Sequence, residues 1–190
     1  MGDPPFVIRR AEHRDLPTIG HMGTLLLRTH YDFDRLRFMA PRPDSDEGYA
    51  WFLGTQLERD DAVVLAAEQE GAVVGYAYAG IEPLSWKDLR DEAGFIHDVY
   101  VDDAVRGTGV GTALLEEAAR WLAGRGVPRV LLWTAASNLA AQRLFARLGF
   151  RTTVVEMTRE VARGRPGTGV TSAVTPTPDN EEDADRGSAG

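Results

Sequence analysis

The sequence predicts an α/β fold, a single domain of helices packed on a β-sheet, and three observations predict it. Strand-length β-rich runs and helix-length amphipathic runs follow one another in the order β-α-α-β-β-β-α-β-α-β. One helical run, GVGTALLEEAARWLAG, carries its apolar residues on one face, as a helix lying on a sheet must. Three glycines, Gly107, Gly109 and Gly111, stand between a strand-like and a helix-like run, a concentration of backbone freedom that needs a reason.

The elements follow in order. Phe6–Arg10 alternates as a first strand, and Asp15 then stands as N-cap, with Pro17 in the first turn, of a helix to about His30. The run Asp44–Glu47 has capping-box spacing, an acid three residues after the cap, and opens a second helix through GYAWFLGTQLERD. The Pro-rich loop DRLRFMAPRP joins the two helices. Ala62–Gln69 and Ala72–Ile81 are β-rich runs joined at EGA, residues 70–72, a hairpin signal. Phe95–Val101 is the next strand. In the helix over Gly109–Gly124, Val110, Leu114, Leu115, Ala118 and Leu122 share one face while Glu116, Glu117 and Arg120 take the other. A strand at Arg129–Thr134, a helix at Ser137–Leu148 and a last strand at Phe150–Val161 complete a domain spanning residues 1–161. From Ala162 the composition turns to Gly, Pro, Thr, Ser and acids, with no periodic apolar residues to offset ordering entropy, so residues 162–190 are expected to form a disordered acidic tail.

Composition removes several classes of function. The chain has 190 residues and a formal net charge of −8 at pH 7, which argues against a nucleic-acid partner, since such partners are bound by accumulated Lys and Arg. The longest apolar run, Ala62–Ala67, falls far short of the roughly 20 residues that span a bilayer, so no membrane role is expected. The start, MGDPPFVIRR, lacks the pattern of a secretory signal, and a cytoplasmic location is expected. With no cysteine there is no disulfide, no thiolate metal site and no cysteine nucleophile. No metal site is expected.

A helix N-terminus presents unpaired N–H groups and the positive end of the helix dipole, so a glycine-rich turn leading into it is a ready anion site. Glycines lacking Cβ let phosphate oxygens reach the amides of residues 107–112, and Arg106 adds a cation at the mouth. A P-loop would need Gly-Lys-Ser/Thr here, and a dinucleotide fingerprint would need Gly or Ala where Thr112 stands, with an acid closing VLLWTA; neither is present. ATP, GTP and NAD are therefore disfavoured. A purely structural turn is the remaining alternative to a phosphate site.

The stretch VYVDDAVRGTGVGTALL resembles motif A of the GNAT superfamily of N-acetyltransferases, an Arg/Gln-x-x-Gly-x-Gly/Ala turn after a strand, here Arg106, Gly109 and Gly111. Downstream, NLAAQRLFARLGF resembles the second motif of that family in Asn138, Ala141, Phe145, Gly149 and Phe150, and the opening VIRRAEHRDLPTI resembles its first strand and helix. The resemblance covers residues 6–161. It implies a twisted mixed sheet of the seven-strand type, with helices on both faces and splayed fourth and fifth strands. It also implies acetyl-CoA as cosubstrate. By this resemblance Arg106, Gly107, Thr108, Gly109, Val110, Gly111 and Thr112 hold the pyrophosphate, the backbone of Val99 and Val101 pairs with pantetheine in the splay, and Asn138 and Phe145 border the cofactor. Asn138 caps its helix in the plainer reading, and Arg143 and Arg147 stand where the 3′-phosphate would lie. The implied activity is transfer of an acetyl group to a primary amine of a small molecule or peptide, by direct attack in a ternary complex. A homodimer follows from family habit alone.

Such a transfer needs a base, because an amine of pKa about 10 is almost wholly protonated at pH 7. The strand FIHDVYV offers His97, whose ordinary pKa of about 6.5 suits proton uptake near neutrality, and after it Asp98. Strand alternation puts His97 on the face of Phe95 and Val99, and Asp98 on the other. A backbone N–H near Val99 or Tyr100 would hold the acyl oxygen. Phe145 stands where many family members carry a Tyr that protonates the departing thiolate. That role passes to Ser137, Tyr31, Tyr49 or water, or the thiolate leaves unaided. Phe145 also motivates a rival reading, a catalytically impaired acyl-CoA-binding sensor. The acceptor would arrive over THYDFDRLRFMAPRPDSDEGYAW, whose Tyr31, Phe33, Tyr49 and Trp51, with Asp32, Asp34, Asp46 and Glu47, suit a cationic amine; the plainer reading of that segment is solvated surface over core.

Overall fold

Apolar residues run without a break through Ala62–Ala67, the pattern of a strand covered on both faces rather than one. The computed structural model, which describes residues 5–161, shows that arrangement. Strands β1 (Val7–Arg10), β2 (Ala62–Gln69), β3 (Ala72–Glu82), β4 (Ala93–Val101) and β5 (Val130–Leu132) form one sheet in that spatial order. The first four are antiparallel neighbours, and β5 runs parallel to β4. Glu70 and Gly71 close the β2–β3 hairpin with both residues at positive φ, the geometry whose twist matches paired strands. The fold is α/β with a mixed open sheet, as expected.

Helices cover both faces. Helix α3 (Val110–Gly124) buries Val110, Leu114, Leu115, Ala118 and Leu122, the five residues that its periodicity singles out, against Val63, Leu65, Ala77, Ala79 and Ile96. Full burial of each leucine contributes about 2 kcal/mol, so this face alone anchors the helix firmly. On the other face α1 (Leu16–Phe33) and α2 (Ser45–Leu57) bring Ile19, Met22 and Leu53 onto Val64, Ala66, Tyr76, Tyr78 and Tyr100. Alternate residues of β2 thus serve opposite cores. The two helices touch closely enough that a Cβ on Gly23 would collide with the edge of the Tyr49 ring, so only glycine fits there. Helix α4 (Leu139–Arg147) follows β5 and packs Leu144 and Phe145 on the α3 side.

Four expectations change. Asp15 stands at the start of α1, but at φ −83° and ψ −19° its carboxylate makes no cap bond to that helix and takes Arg9 and the Glu12 N–H instead. Asp44 precedes α2, but its backbone lies at φ −97° and ψ 13° rather than extended, so its carboxylate makes no cap bond and the capping box does not form; Ser45 Oγ instead accepts the Arg42 N–H at 2.8 Å. Residues 151–161 form no strand, and Val154, Val155 and Met157 are exposed. A β-rich run becomes a strand only where another edge takes its hydrogen bonds, and β5, with three paired residues, offers little of one. Among the described residues the sheet therefore has five strands, not seven. The expected tail, residues 162–190, lies outside the described residues.

A partly buried ion cluster ties β1, the turn before α1 and β2 together. Asp15, 5% exposed, receives Arg9 Nη1 and Nη2 at 2.6 and 3.0 Å and the Glu12 N–H at 2.8 Å, while Arg9 Nε donates to Glu68 of β2 at 2.7 Å. The Arg9 guanidinium holds the Asp15 carboxyl below its ordinary range. Arg9→Ala is expected to cost about 3 kcal/mol by leaving that carboxylate unpaired. Because the folded pKa of Asp15 is depressed, its contribution is present above about pH 4 and is lost as the pH falls from there, so acid titration of the unfolding free energy should be flatter in the variant. A variant as stable and as acid-sensitive as the wild type would contradict this.

Candidate active site

A single extra residue shapes this site. In the β3–β4 ladder Tyr78 lies opposite Asp98 and Ala79 opposite Ile96, so His97 has no partner and forms a β-bulge. On its other edge β4 pairs with β5 only through Gly94, Phe95 and Ile96. His97 is the first residue past the last parallel pair, and from there β4 has an open edge among the described residues. The Asp102 N–H donates to Val74 O at 2.9 Å, so by alternation the backbone groups of Val99 and Val101 face that open edge. Tyr100, opposite Tyr76, turns its own backbone into the ladder, which leaves Val99 as the better placed N–H of the two considered for the acyl oxygen.

The bulge also overturns the simple alternation. Ile96, Val99 and Val101 pack on the α3 side, whereas Asp98 and Tyr100 lie on the α1/α2 side. His97 keeps the face of Phe95, against which it stacks, but not that of Val99, and Asp98 joins His97 on the same face instead of opposing it. Inserting one residue shifts the period of two by one, so adjacent side chains emerge together.

The two titratable neighbours sit in different surroundings. The His97 ring lies between Tyr78 and Phe95, each centroid 4.8 Å away and nearly parallel, and its Nε2 is 3.1 Å from Glu82 Oε1. Burial lowers the His97 pKa, against the pull of Glu82 and Asp98 upward. Asp98 accepts Tyr49 Oη at 2.7 Å and Tyr76 Oη at 3.3 Å. Burial raises its pKa, opposed by those hydrogen bonds and by His97. Burial and Asp98 push the Tyr49 phenol above its ordinary range, so Tyr49 keeps its proton for Asp98 and is not suited to protonate a thiolate. An aromatic row runs on from the stack: Phe52 meets Tyr78 edge-on at 5.7 Å, and Trp133, just past β5, meets Phe95 edge-on at 5.0 Å. Phe52 and Trp133 are both exposed.

The glycine turn lies at the far end of the open edge. Gly107 and Gly109 have φ of +82° and +99°, a region that other residues enter only with strain, and a Cβ built on either meets nothing within 4 Å. Their absence of side chain therefore answers to backbone conformation and to whatever approaches from outside, not to crowding by the protein. The first intrahelical bond of α3 runs from Ala113 N–H to Gly109 O at 3.0 Å, so the N–H groups of Val110, Gly111 and Thr112 precede it. Gly111 differs from the other two: it lies in the helix, where a Cβ would make ordinary contact with Val101 at 3.5 Å and Leu144 at 3.7 Å. Thr108 Oγ1 donates to Val105 O at 2.7 Å. Arg106 pairs with Asp103, donates Nε to Val101 O at 3.2 Å, and places its guanidinium 5.8 Å from the Tyr100 ring centre.

In α4 Asn138 caps the helix, its Oδ1 accepting the Ala141 N–H at 3.1 Å, and Phe145 packs with the α3-side core, edge-on to Phe150 at 6.1 Å. Among the expected acceptor residues, Asp46 contacts His21 Nδ1 at 2.9 Å and Asp34 accepts the Leu36 and Arg37 N–H groups, so both serve local structure. Trp51 stays exposed on α2, and Tyr31 lies under Arg35. Five residues at the site escape sequence reasoning: Phe52, Tyr76, Tyr78, Glu82 and Trp133. The alternation Tyr76, Tyr78, Gly80, Glu82 along one face of β3 was the available signal.

Comparison with known proteins gives a consistent picture. The sequence profile of the Acetyltransferase (GNAT) family matches residues 26–150. The mycothiol acetyltransferase of Amycolatopsis mediterranei (strain U-32) is 33% identical over 107 residues, covering 56% of this chain and 33% of the relative. The aminoglycoside N(6')-acetyltransferase type 1 of Klebsiella aerogenes is 31% identical over 101 residues, covering 53% of this chain and 66% of the relative. The chain thus spans only about a third of the mycothiol acetyltransferase that it matches. Among solved structures, the aminoglycoside N-acetyltransferase AAC(6')-Iy in complex with CoA superposes with a TM-score of 0.66 at 20% identity, covering 82% of this chain and 94% of the other, which shows a shared fold. No helix among the described residues is long and apolar enough to cross a membrane.

Tyr49→Phe is expected to destabilise the protein by about 1–3 kcal/mol, because Asp98 loses its shorter hydrogen bond. The folded pKa of Asp98 is already raised, so ionising it costs stability as the pH rises, and loss of a donor that lowers this pKa enlarges the cost. The deficit should grow from about pH 4 toward neutrality. Urea unfolding at several pH values measures it, and a deficit independent of pH would refute the assignment.

Proposed function

The chain belongs to the GNAT acetyltransferase family, and on that premise we propose that it transfers an acetyl group from acetyl-CoA to a primary amine of a small molecule, by direct attack within a ternary complex. The observation that carries the reading is the continuity of one strand edge, with the glycine turn at one end and His97 at the other. A phosphate-bearing ligand extended along that edge would reach the bulge with its far end.

The residues present fit coenzyme A. The unpaired N–H groups at the start of α3, reached past Gly107 and Gly109 and supported by Arg106, Thr108 and Thr112, would hold its pyrophosphate. Val99 and the Val101 N–H would pair with its pantetheine arm along the open edge of β4, the Val101 carbonyl being taken by Arg106, and Asn138 and Phe145 would border it. The thioester supplies the activated acyl group.

The chain's own contribution is positioning, proton removal and charge stabilisation. His97 takes a proton from the ammonium of the acceptor, directly or through a water. Burial helps, since it keeps the imidazole neutral and hence able to accept. Asp98, whose Oδ2 accepts two phenols, serves to hold the bulge rather than to act as base. The Val99 N–H donates to the oxyanion as it develops. Exposed faces of Phe52 and Trp133 beside the stack suit the ammonium of an arriving amine, so the acceptor is placed on the α1/α2 side of β4. The kinship with mycothiol and aminoglycoside acetyltransferases supports a small molecule over a protein acceptor. With Phe145 apolar and Tyr49 engaged, the thiolate departs without a tyrosine donor; its pKa, about 8.5 as for a cysteine thiol, makes it a competent leaving group.

Calorimetric titration with acetyl-CoA is expected to show micromolar binding that Gly109→Trp abolishes and Gly109→Ala, which shares the backbone strain without the bulk, largely keeps. His97→Ala should bind acetyl-CoA like the wild type yet lose about 10²- to 10⁴-fold in kcat against a panel of small amines, followed by thiol release. A wild type that takes up no acetyl-CoA would overturn the reading.

A further inference from the structure

We propose that Glu82 is the positioning residue for His97: it takes the Nε2–H of the imidazole and so leaves Nδ1 as the proton-accepting nitrogen. The inference rests on the acetyl-transfer reading above and names a residue that neither motif of the family contains.

The contact is built by several residues. Tyr78, Gly80 and Glu82 alternate along one face of β3, and Glu82 reaches back past Gly80 toward the bulge. A Cβ on Gly80 would sit 3.9 Å from His97 Nε2, so a longer side chain there would stand between the carboxylate and the ring. The Tyr78 and Phe95 rings, inclined to the imidazole by 21° and 22°, set its plane from both sides. Glu82 is itself held from the loop that follows β3. Arg90, whose side chain is 16% exposed, places Nη2 3.8 Å from Glu82 Oε2 and donates Nη1 to the carbonyl oxygens of Glu82 and Pro83 at 3.3 and 2.9 Å.

A neutral imidazole has one N–H and one lone pair, and an ionised carboxylate only accepts. At 3.1 Å from Glu82 Oε1, Nε2 therefore carries the hydrogen, and Nδ1, which receives no hydrogen bond from the described residues, keeps its lone pair. The same carboxylate opposes the effect of burial, raising the basicity of a ring that would otherwise be a weak base. The groups facing the imidazole are Tyr78 and Glu82 of β3 and Asp98 beside it on β4, with Arg90 behind Glu82. Removing Glu82 while Asp98 stays thus changes one charge.

The test joins a spectroscopic and a kinetic readout on the full chain. In ¹⁵N NMR of the histidine rings, the wild type should show His97 as the single Nε2–H tautomer, and Glu82→Ala a mixture of both. In the pH profile of kcat/KM, the acid limb reports the deprotonation of His97. Glu82→Gln should move that limb to lower pH and lower the plateau about 10- to 100-fold, with the KM for acetyl-CoA unchanged and Glu82→Asp restoring part of the rate. A Glu82→Gln enzyme with the limb and plateau of the wild type overturns the positioning role, as does a wild-type His97 protonated on Nδ1. A wild type with the expected tautomer but no acetyl transfer to any amine, and no binding of acetyl-CoA, instead overturns the functional reading and leaves the contact purely structural.

Discussion

The site depends on one extra residue in β4. Without the bulge at His97, strict alternation would put Asp98 into the α3-side core beside Ile96, where a carboxyl group has no polar partner. With it, Asp98 meets two phenols on the opposite face, and the apolar residues Val99 and Val101 return to the α3 side. The bulge lies where the β4–β5 pairing stops, so the local kink in β4 and the opening of its edge coincide. A chemically mixed strand, FIHDVYV, is thereby sorted into a dry face, a polar face and a free edge.

The two faces of the sheet hold the site in different ways. On the α3 side the anchoring is apolar and close-packed, with five helical residues almost fully buried, so the turn leading into α3 is carried on a firmly docked helix. On the α1/α2 side it is polar. Tyr49 reaches Asp98 only because Gly23 lets the ring lie against α1, and Tyr76 completes the pair from β3. A hydrogen-bonded carboxyl group under the bulge gives β4 a directional tether that apolar contacts do not supply.

Burial acts on the two titratable neighbours with opposite sign and the same outcome. It disfavours charge, lowering the pKa of His97 and raising that of Asp98. For His97 the neutral form is the one that accepts a proton. For Asp98 the phenols and the adjacent imidazole restrain the shift. Aromatic rings do much of the desolvating, since Tyr78 and Phe95 cover both faces of the imidazole while leaving its edge to polar neighbours.

The amphipathic period of Val110–Leu122, the β-rich runs of β2 to β4, the Glu70-Gly71 hairpin and the glycine turn were all legible from the chain, because each is a local preference repeated or punctuated within a few residues. The two motifs around Arg106–Gly111 and Asn138–Phe150 pointed to the family for the same reason, as contiguous runs. Tertiary structure alone decided the rest. Whether Phe150–Val161 becomes a strand depends on an edge elsewhere, and Asp44 fails to cap α2 because the incoming loop sets its backbone. The bulge changes no composition and leaves no period, yet it brings His97 and Asp98 to one face; Glu82, fifteen residues before His97 in the chain, meets it only because two strands are paired. Periodicity says which residues share a side of one element, but contacts between elements follow from register, and register is settled by the packing of the whole sheet.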